Sequence, residues 1–350
     1  PPPSPLTPPP YAFGRRGRAV RALAAAAASA AAGGGAGGAV GFVGLGAMGA
    51  PMVRALARAG GASWDTVVAC DMSPAAFERV EGAGGAEGCP VEWAASPHAL
   101  AERGDVRAVV TMLPAAAHVL ETVKGPEGLL SAGGAPPPLL VDCSSTGPAC
   151  AREVAAAMQA RGGAFADAPV SGGVPGAEAA SLTFMVGGSE ADFGGGLLPE
   201  LLGAMGKKAV RCGGVGAGQS TKLCNNHVLG IHMAAVAEGL ALGKRLGLDP
   251  KVLSEVFNTS SARCWSSDSY NPVPGVMEGV PAARGYRNGF LTDLMVKDMR
   301  LAGLAAEEAG APLPVGEPVL ALYEALQEEG HGREDFGSIY KHVYASGGGE

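Results

Sequence analysis

The run Ala39-Val40-Gly41-Phe42-Val43, followed at once by Gly44-Leu45-Gly46-Ala47-Met48-Gly49 and then by Ala50 to Gly60, constrains this chain more than any other stretch. The first segment is short and apolar and reads as a strand. The last has helical spacing and ends in glycine. In a chain with 56 glycines a bare G-x-G-x-x-G says little. Between a strand and a helix it is the fingerprint of dinucleotide binding. Gly44 permits the tight turn, Gly46 lets backbone approach a pyrophosphate, and Gly49 lets helix pack closely on strand. The helix N-terminus offers free N–H groups and a partial positive charge to the phosphates, with Leu45, Ala47 and Met48 lying along the turn.

The next apolar run, Thr66 to Cys70, ends in Asp71. A carboxylate about twenty residues past the glycine turn accepts hydrogen bonds from the adenosine ribose hydroxyls and repels a 2′-phosphate, which favours NAD over NADP. Asp71 has a second reading, as N-cap of a helix starting near Pro74, a role that Ser73 fills better. Further strands are expected at Ala108–Leu113 and Leu139–Asp142, with helical stretches between. Alternating strand and helix predicts a parallel, doubly wound sheet of Rossmann type. Ligands of such sheets lie at the carboxyl ends of the strands, which places Leu113, Pro114 and Ser144-Ser145-Thr146 beside the dinucleotide.

Gly218-Gln219-Ser220-Thr221-Lys222-Leu223-Cys224-Asn225-Asn226 opens the longest apolar run, which continues to Gly247 without a proline. It predicts one long, mostly buried helix. A buried ammonium is costly without a partner, so Lys222 near its start needs a reason. Asn226, four residues on, shares its face. Spacing alone leaves two readings open. Either Lys222 sits at a solvated helix entry with Asn226 as a cap or satisfied core amide, or the two form a reactive pair.

With 350 residues, 47% hydrophobic and 17% charged, the chain can hold two cored domains of a globular, enzyme-like protein. Its net charge of -7, without a long basic block in the folded region, makes nucleic acid an unsuitable partner. The apolar runs are broken before the roughly 18 residues of a membrane span. Seven cysteines without a C-x-x-C pair favour free thiols in a reducing compartment, as small core residues, over disulfides or zinc. His227 and His232 have no carboxylate or thiol cluster beside them, so no metal site is expected. Residues 1 to 38 are Pro-rich, then arginine-bearing at Arg15, Arg16, Arg18 and Arg21, then Ala- and Gly-rich, with no acid before Asp65. This is either an organellar transit peptide, pointing to mitochondria, or a low-complexity tail on a cytoplasmic protein.

Taken in order, Phe42 to Gly49, Thr111-Met112-Leu113-Pro114, Asp142-Cys143-Ser144-Ser145-Thr146, Asp167-Ala168-Pro169-Val170-Ser171-Gly172-Gly173 and Lys222-Leu223-Cys224-Asn225-Asn226 resemble the β-hydroxyacid dehydrogenase family. Arg263 to Ser267, Tyr270 to Met277, and Gly289-Phe290 through Lys297-Asp298 are similar to a mitochondrial branch serving valine breakdown. The resemblance spans about residues 40 to 344. It implies oxidation of the hydroxyl of a small 3-hydroxy acid, with NAD as hydride acceptor and Lys222 as the group that takes the proton. It further implies that Asn226 holds the substrate, that Ser171, Gly172 and Gly173 bind its carboxylate, that Phe290 walls the pocket, and that His118, Thr146, Lys297 and Asp298 join the cofactor site. Lys297 and Asp298 fall late in a helix-like run. Without the resemblance, Ser171-Gly172-Gly173 reads as a flexible loop, Lys297-Asp298 as a surface ion pair, and Trp265, Tyr270 and Phe290 as core. The chain departs from the family at Ala180, where a glycine is usual, at Pro175, and at His118, where asparagine is common.

Two other functions are compatible with this pattern: a semialdehyde or glyoxylate reductase of the same family, and a non-catalytic dehydrogenase-like binding protein. The first usually carries a basic residue where Asp71-Met72-Ser73 stands. The second would be expected to have lost Lys222. The expected architecture is a Rossmann-type domain over 39–215, an all-helical C-terminal domain over 216–344 led by the long helix, and a tail over 345–350. That helix is apolar nearly all round, which calls for burial by both domains or by a second copy, hence a homodimer or homotetramer.

Overall fold

The computed structural model describes residues 37–345, except 62, 132, 134, 135, 191, 192, 194 and 195. The leader up to residue 36 and the tail beyond 345 lie outside the described residues.

A nine-stranded sheet runs in the order β3-β2-β1-β4-β5-β6-β8-β7, with β9 on β8. Its strands are β1 Ala39–Val43, β2 Thr66–Cys70, β3 Val91–Trp93, β4 Val106–Thr111, β5 Leu139–Asp142, β6 Ala164–Asp167, β7 Val170–Ser171, β8 Leu182–Gly187 and β9 Gly206–Gly213. The first six are mutually parallel. β1 and β2 are buried at every position, because helices cover both faces of such a sheet. The register aligns Val43, Cys70, Thr111, Asp142 and Asp167 in one row at the carboxyl ends. Whatever follows these residues in the chain emerges along a single edge.

Two expectations change here. The first six strands are parallel as expected, but β8 runs antiparallel to β6 and β7 and parallel to β9. The chain doubles back from β6 through β7 and a one-turn helix, Gly173–Glu178, and no crossover is available to restore the direction. The expected strand Ala108–Leu113 begins and ends two residues earlier, as β4, which leaves Leu113 and Pro114 free on the loop.

The helices that matter for the site are α1 Gly49–Ala59, α2 Ala116–Lys124, α3 Pro148–Ala160, α4 Ala217–Arg245, α5 Pro250–Thr259, α6 Thr292–Ala309, α7 Gly316–Leu326 and α8 Ile339–Ala345. α4 is the expected long helix, 29 residues in one piece. Its Met233, Ala237 and Leu240 join Met295, Met299, Tyr323 and Phe336 in the core of the helical part. At Gly230 a Cβ would stand 2.7 Å from Met299 Sδ, so glycine lets α6 lie close against α4. α4 is not covered all round: Val228 is 48% and Leu242 58% exposed, and Cys224 is exposed as well. One chain supplies helices for one side only of so apolar a rod. Cys70, Cys89, Cys143 and Cys150 are buried free thiols, whereas Cys212 and Cys264 are half-buried. No described helix is long and apolar enough to cross a membrane.

Candidate active site

The glycine turn follows β1 directly. Gly44 has φ +103, a conformation L side chains rarely adopt. A Cβ at Gly46 would meet no protein atom within 4 Å, so this backbone is open to a ligand. Gly46 and Ala47 are exposed and Met48 is half-buried. The Leu45 side chain is wholly buried, and its N–H donates to Asp71 Oδ2 at 2.7 Å. Asp71 Oδ1 accepts from Ser73 N at 2.9 Å. Asp71 therefore closes the turn against β2, and neither it nor Ser73 caps the 3-10 turn at Pro74–Arg79 through its side chain. Arg79 completes the clamp by donating to Leu45 O at 3.1 Å.

The loops after β4 and β5 are held from the helical part of the chain. Leu113 N donates to Ser144 Oγ at 2.9 Å. Gln219 of α4, fully buried, accepts through Oε1 from Thr146 N at 3.0 Å and Gly147 N at 3.1 Å, and donates through Nε2 to Ser144 O at 2.7 Å. Lys297 of α6 donates to Ser145 O at 3.0 Å and to Pro114 O at 3.3 Å. Under this loop, Asp142 accepts from Thr111 Oγ1 at 2.8 Å, Ser144 N at 3.1 Å and Thr146 Oγ1 at 3.3 Å. Complete burial pushes its carboxyl up to about 6 against the pull of those donors. His118 lies exposed on the first turn of α2.

α4 begins where the aligned strand ends meet. Asp167, last residue of β6, accepts from Gly216 N at 2.7 Å and Gln219 N at 2.8 Å. A carboxylate thus caps the positive end of the helix, although burial raises its pKa in spite of those bonds. Gly218 permits this approach, since a Cβ there would stand 2.8 Å from Asp167 Oδ2.

One turn into α4, Lys222 is 8% exposed and makes no hydrogen bond or ion pair with any described residue. Burial holds its pKa below the usual lysine value; the charge of Asp298 opposes that shift and the charge of Lys297 adds to it. Asn226 is buried on the same face. Its Nδ2 donates to Asp298 Oδ2 at 2.6 Å, and its Oδ1 accepts from Asn225 Nδ2 at 3.1 Å. Lys297 and Asp298 stand in the second turn of α6, not late in a helix as expected. Asp298 is 2% exposed and turns one carboxylate oxygen toward Asn226. Its Oδ1 lies 3.3 Å from Lys297 Nζ without hydrogen-bond geometry and is otherwise unpartnered.

Ser171 ends β7, and Gly172 and Gly173 follow with φ +134 and +61, both exposed. Consecutive N–H groups in this conformation form a concavity suited to an anion. Phe290 is half-buried, edge-on to Phe336 with ring centroids 5.8 Å apart. Trp265 and Tyr270 stack on each other at 4.5 Å. Among the described residues, no group of three or more His, Cys, Asp or Glu could hold a metal ion.

The sequence reading missed Gln219, Asp142, Asp167 and Arg79 as site residues. Gln219 sits three residues ahead of Lys222 with no pattern to mark it, and its partners are about 73 residues away. Asp142 and Asp167 stand in the motifs quoted above, and each ends a strand that opens onto the site. That position was the available signal.

Two family models cover the chain. Residues 39–214 match the NAD binding domain of 6-phosphogluconate dehydrogenase. Residues 216–343 match a domain described as NAD-binding, of NADP-dependent 3-hydroxyisobutyrate dehydrogenase. The mitochondrial 3-hydroxyisobutyrate dehydrogenase of Homo sapiens is 46% identical over 248 residues, 70% of this chain and 72% of that protein. The enzyme of the same name from Bos taurus is 45% identical over 248 residues, with the same shares. Among solved structures, the Mycobacterium tuberculosis 3-hydroxyisobutyrate dehydrogenase with L-serine superposes with a TM-score of 0.75 at 36% identity, covering 88% of this chain and 99% of that one.

Proposed function

We propose, since the chain belongs to the 3-hydroxyisobutyrate dehydrogenase family, that it oxidises 3-hydroxyisobutyrate to methylmalonate semialdehyde through Lys222. The observation that carries this is a buried, depressed-pKa amine on the face it shares with Asn226, in the helix rooted at the carboxyl end of a dinucleotide-binding sheet. The cofactor is NAD, which when bound would supply the acceptor for the hydride of the carbinol carbon. The residues present fit it: the open backbone at Gly46 suits a pyrophosphate, and Asp71 suits an unphosphorylated ribose. The 2′-phosphate of NADP would not suit that carboxylate.

Lys222 in its neutral form takes the hydroxyl proton as hydride leaves. Such a positioned base contributes roughly 10² to 10⁴ in rate, and most when its pKa lies near the working pH. Asn226, held by Asp298, offers its second N–H to the substrate without adding a charge that competes with Lys222. Ser171, Gly172 and Gly173 receive the carboxylate through a hydroxyl and N–H groups. Phe290 walls the pocket beside the methyl-bearing carbon. Leu113, Pro114, His118, Thr146, Lys297 and Asp298 line the cofactor side, where Lys297 ties the two loops together and Asp298 also acts on Asn226 and Lys222.

Three wider readings go with this. The change from sheet to helix between Gly213 and Ala217 supports a domain boundary near residue 215. The mitochondrial names of the relatives, and an arginine-bearing leader without acids, support a mitochondrial location. The exposed apolar side of α4 supports a homodimer or homotetramer.

Lys222→Ala tests the central claim. Turnover should fall by at least about 10²-fold, with NAD binding, followed by titration, near that of the wild type. Substantial retained turnover would remove Lys222 from the proton transfer.

A further inference from the structure

We infer that Asp335 is a positioning residue for substrate selection, a buried carboxylate that holds the strained segment carrying Phe290 and, through Tyr270, the aromatic face beside it. This deepens the reading above and rests on Phe290 being a wall of the substrate pocket.

Asp335 is 1% exposed and has no ion pair among the described residues. Its Oδ2 accepts from Phe290 N at 2.8 Å and from Tyr270 Oη–H at 2.8 Å, and its Oδ1 from Gly337 N at 2.9 Å. The backbone repeats the connection: Asp335 N donates to Tyr286 O and Phe336 N to Phe290 O, each at 2.8 Å. The cradle leaves no spare room. A Cβ at Gly289 would overlap Asp335 Oδ2, and one at Gly337 would stand 2.9 Å from Oδ1.

The segment so held is under strain. Tyr286 and Asn288 have φ +59 and +57, and for a bulky, buried tyrosine that is an outlier. A buried carboxylate with no contacting counter-ion, on which the charge of Arg284 acts only at longer range, is a poor way to gain stability, because desolvation offsets most of what its hydrogen bonds return. Strained backbone of this kind persists where surrounding contacts over-determine it, and such places cluster at binding sites. Here the contacts converge on two aromatic residues: Phe290, and Tyr270, which stacks on Trp265 and tilts on Phe336 at 5.9 Å. The carboxylate therefore sets where the Phe290 ring stands, and so whether the pocket has room for the substrate's methyl group.

The test compares kcat/KM for 3-hydroxyisobutyrate and for 3-hydroxypropionate, which lacks the methyl group. In Asp335→Asn the ratio of the two should change by roughly 10-fold, carried by KM for the acid. The KM for NAD and the pH at which Lys222 titrates should stay as in the wild type. Tyr270→Phe keeps the carboxylate and its bond to Phe290, and should change the ratio by a smaller factor, about threefold; it carries the test alone if Asp335→Asn does not fold. Phe290→Leu separates the two levels of the claim. If it changes the ratio while Asp335→Asn and Tyr270→Phe do not, the positioning role is overturned and the pocket stands. If none of the three changes it, the pocket reading falls and the proposal with it. A rise in KM for NAD equal to that for the acids would also overturn the proposal.

Discussion

Lys222 sits between two charges with opposite effects on it, both on the second turn of α6. Asp298 raises its pKa and Lys297 lowers it, while burial sets the net direction downward. Oxidation needs the neutral amine, so the rate should rise with pH through an apparent midpoint below 10.5, the ordinary lysine value. Asp298→Asn removes the opposing charge and should move that midpoint further down. Lys297→Met removes the like charge and should move it up. A pH profile of kcat for both variants checks this, and shifts of the same sign would contradict it. At the same scale, Ala180 occupies a family glycine position with φ +48. A left-handed alanine costs more than the backbone freedom a glycine adds to the unfolded chain. Ala180→Gly should therefore stabilise the protein by about 0.5 to 1 kcal/mol, seen as a higher melting temperature.

At the scale of elements, α4 depends on groups far away in the chain. Asp167 caps its first turn and Gln219 stitches that turn to residues 144–147. Gln219→Ala would leave two buried N–H groups and one carbonyl without partners. The expected loss is about 3 kcal/mol, together with a higher KM for NAD, because the loop it holds lies beside the dinucleotide. Chemical denaturation and steady-state kinetics measure the two effects. A stability loss with unchanged cofactor affinity would make Gln219 a packing residue only.

For the whole molecule, the uncovered side of α4 continues onto the turn after it and onto α5. Val228, Leu242, Leu246, Leu248, Val252 and Val256 are all about half exposed or more. Exposed apolar side chains in this number are what the proposed contact between copies would bury. Leu242→Glu combined with Val252→Glu should shift the sedimentation coefficient toward that of a single chain. An unchanged coefficient would place the contact elsewhere.

Much of the architecture was already written in local pattern. β1, β2 and β5 fall on the apolar runs read for them, α1 follows the glycine turn, and α4 spans the long proline-free run. Periodicity and glycine placement depend on near neighbours, so they can be read in one dimension. The same holds for Lys222 and Asn226, four residues apart on one helix. What only the tertiary structure decided is how distant groups are joined. Gln219 reaches residues 144–147, Asp298 turns to Asn226, β8 reverses against β6, and Asp335 closes on Phe290 from 45 residues away. No periodic signal connects such pairs. Their pairing follows from the aligned strand ends and the packing of α6 on α4, which put each donor within reach of a buried acceptor that could not remain unmet.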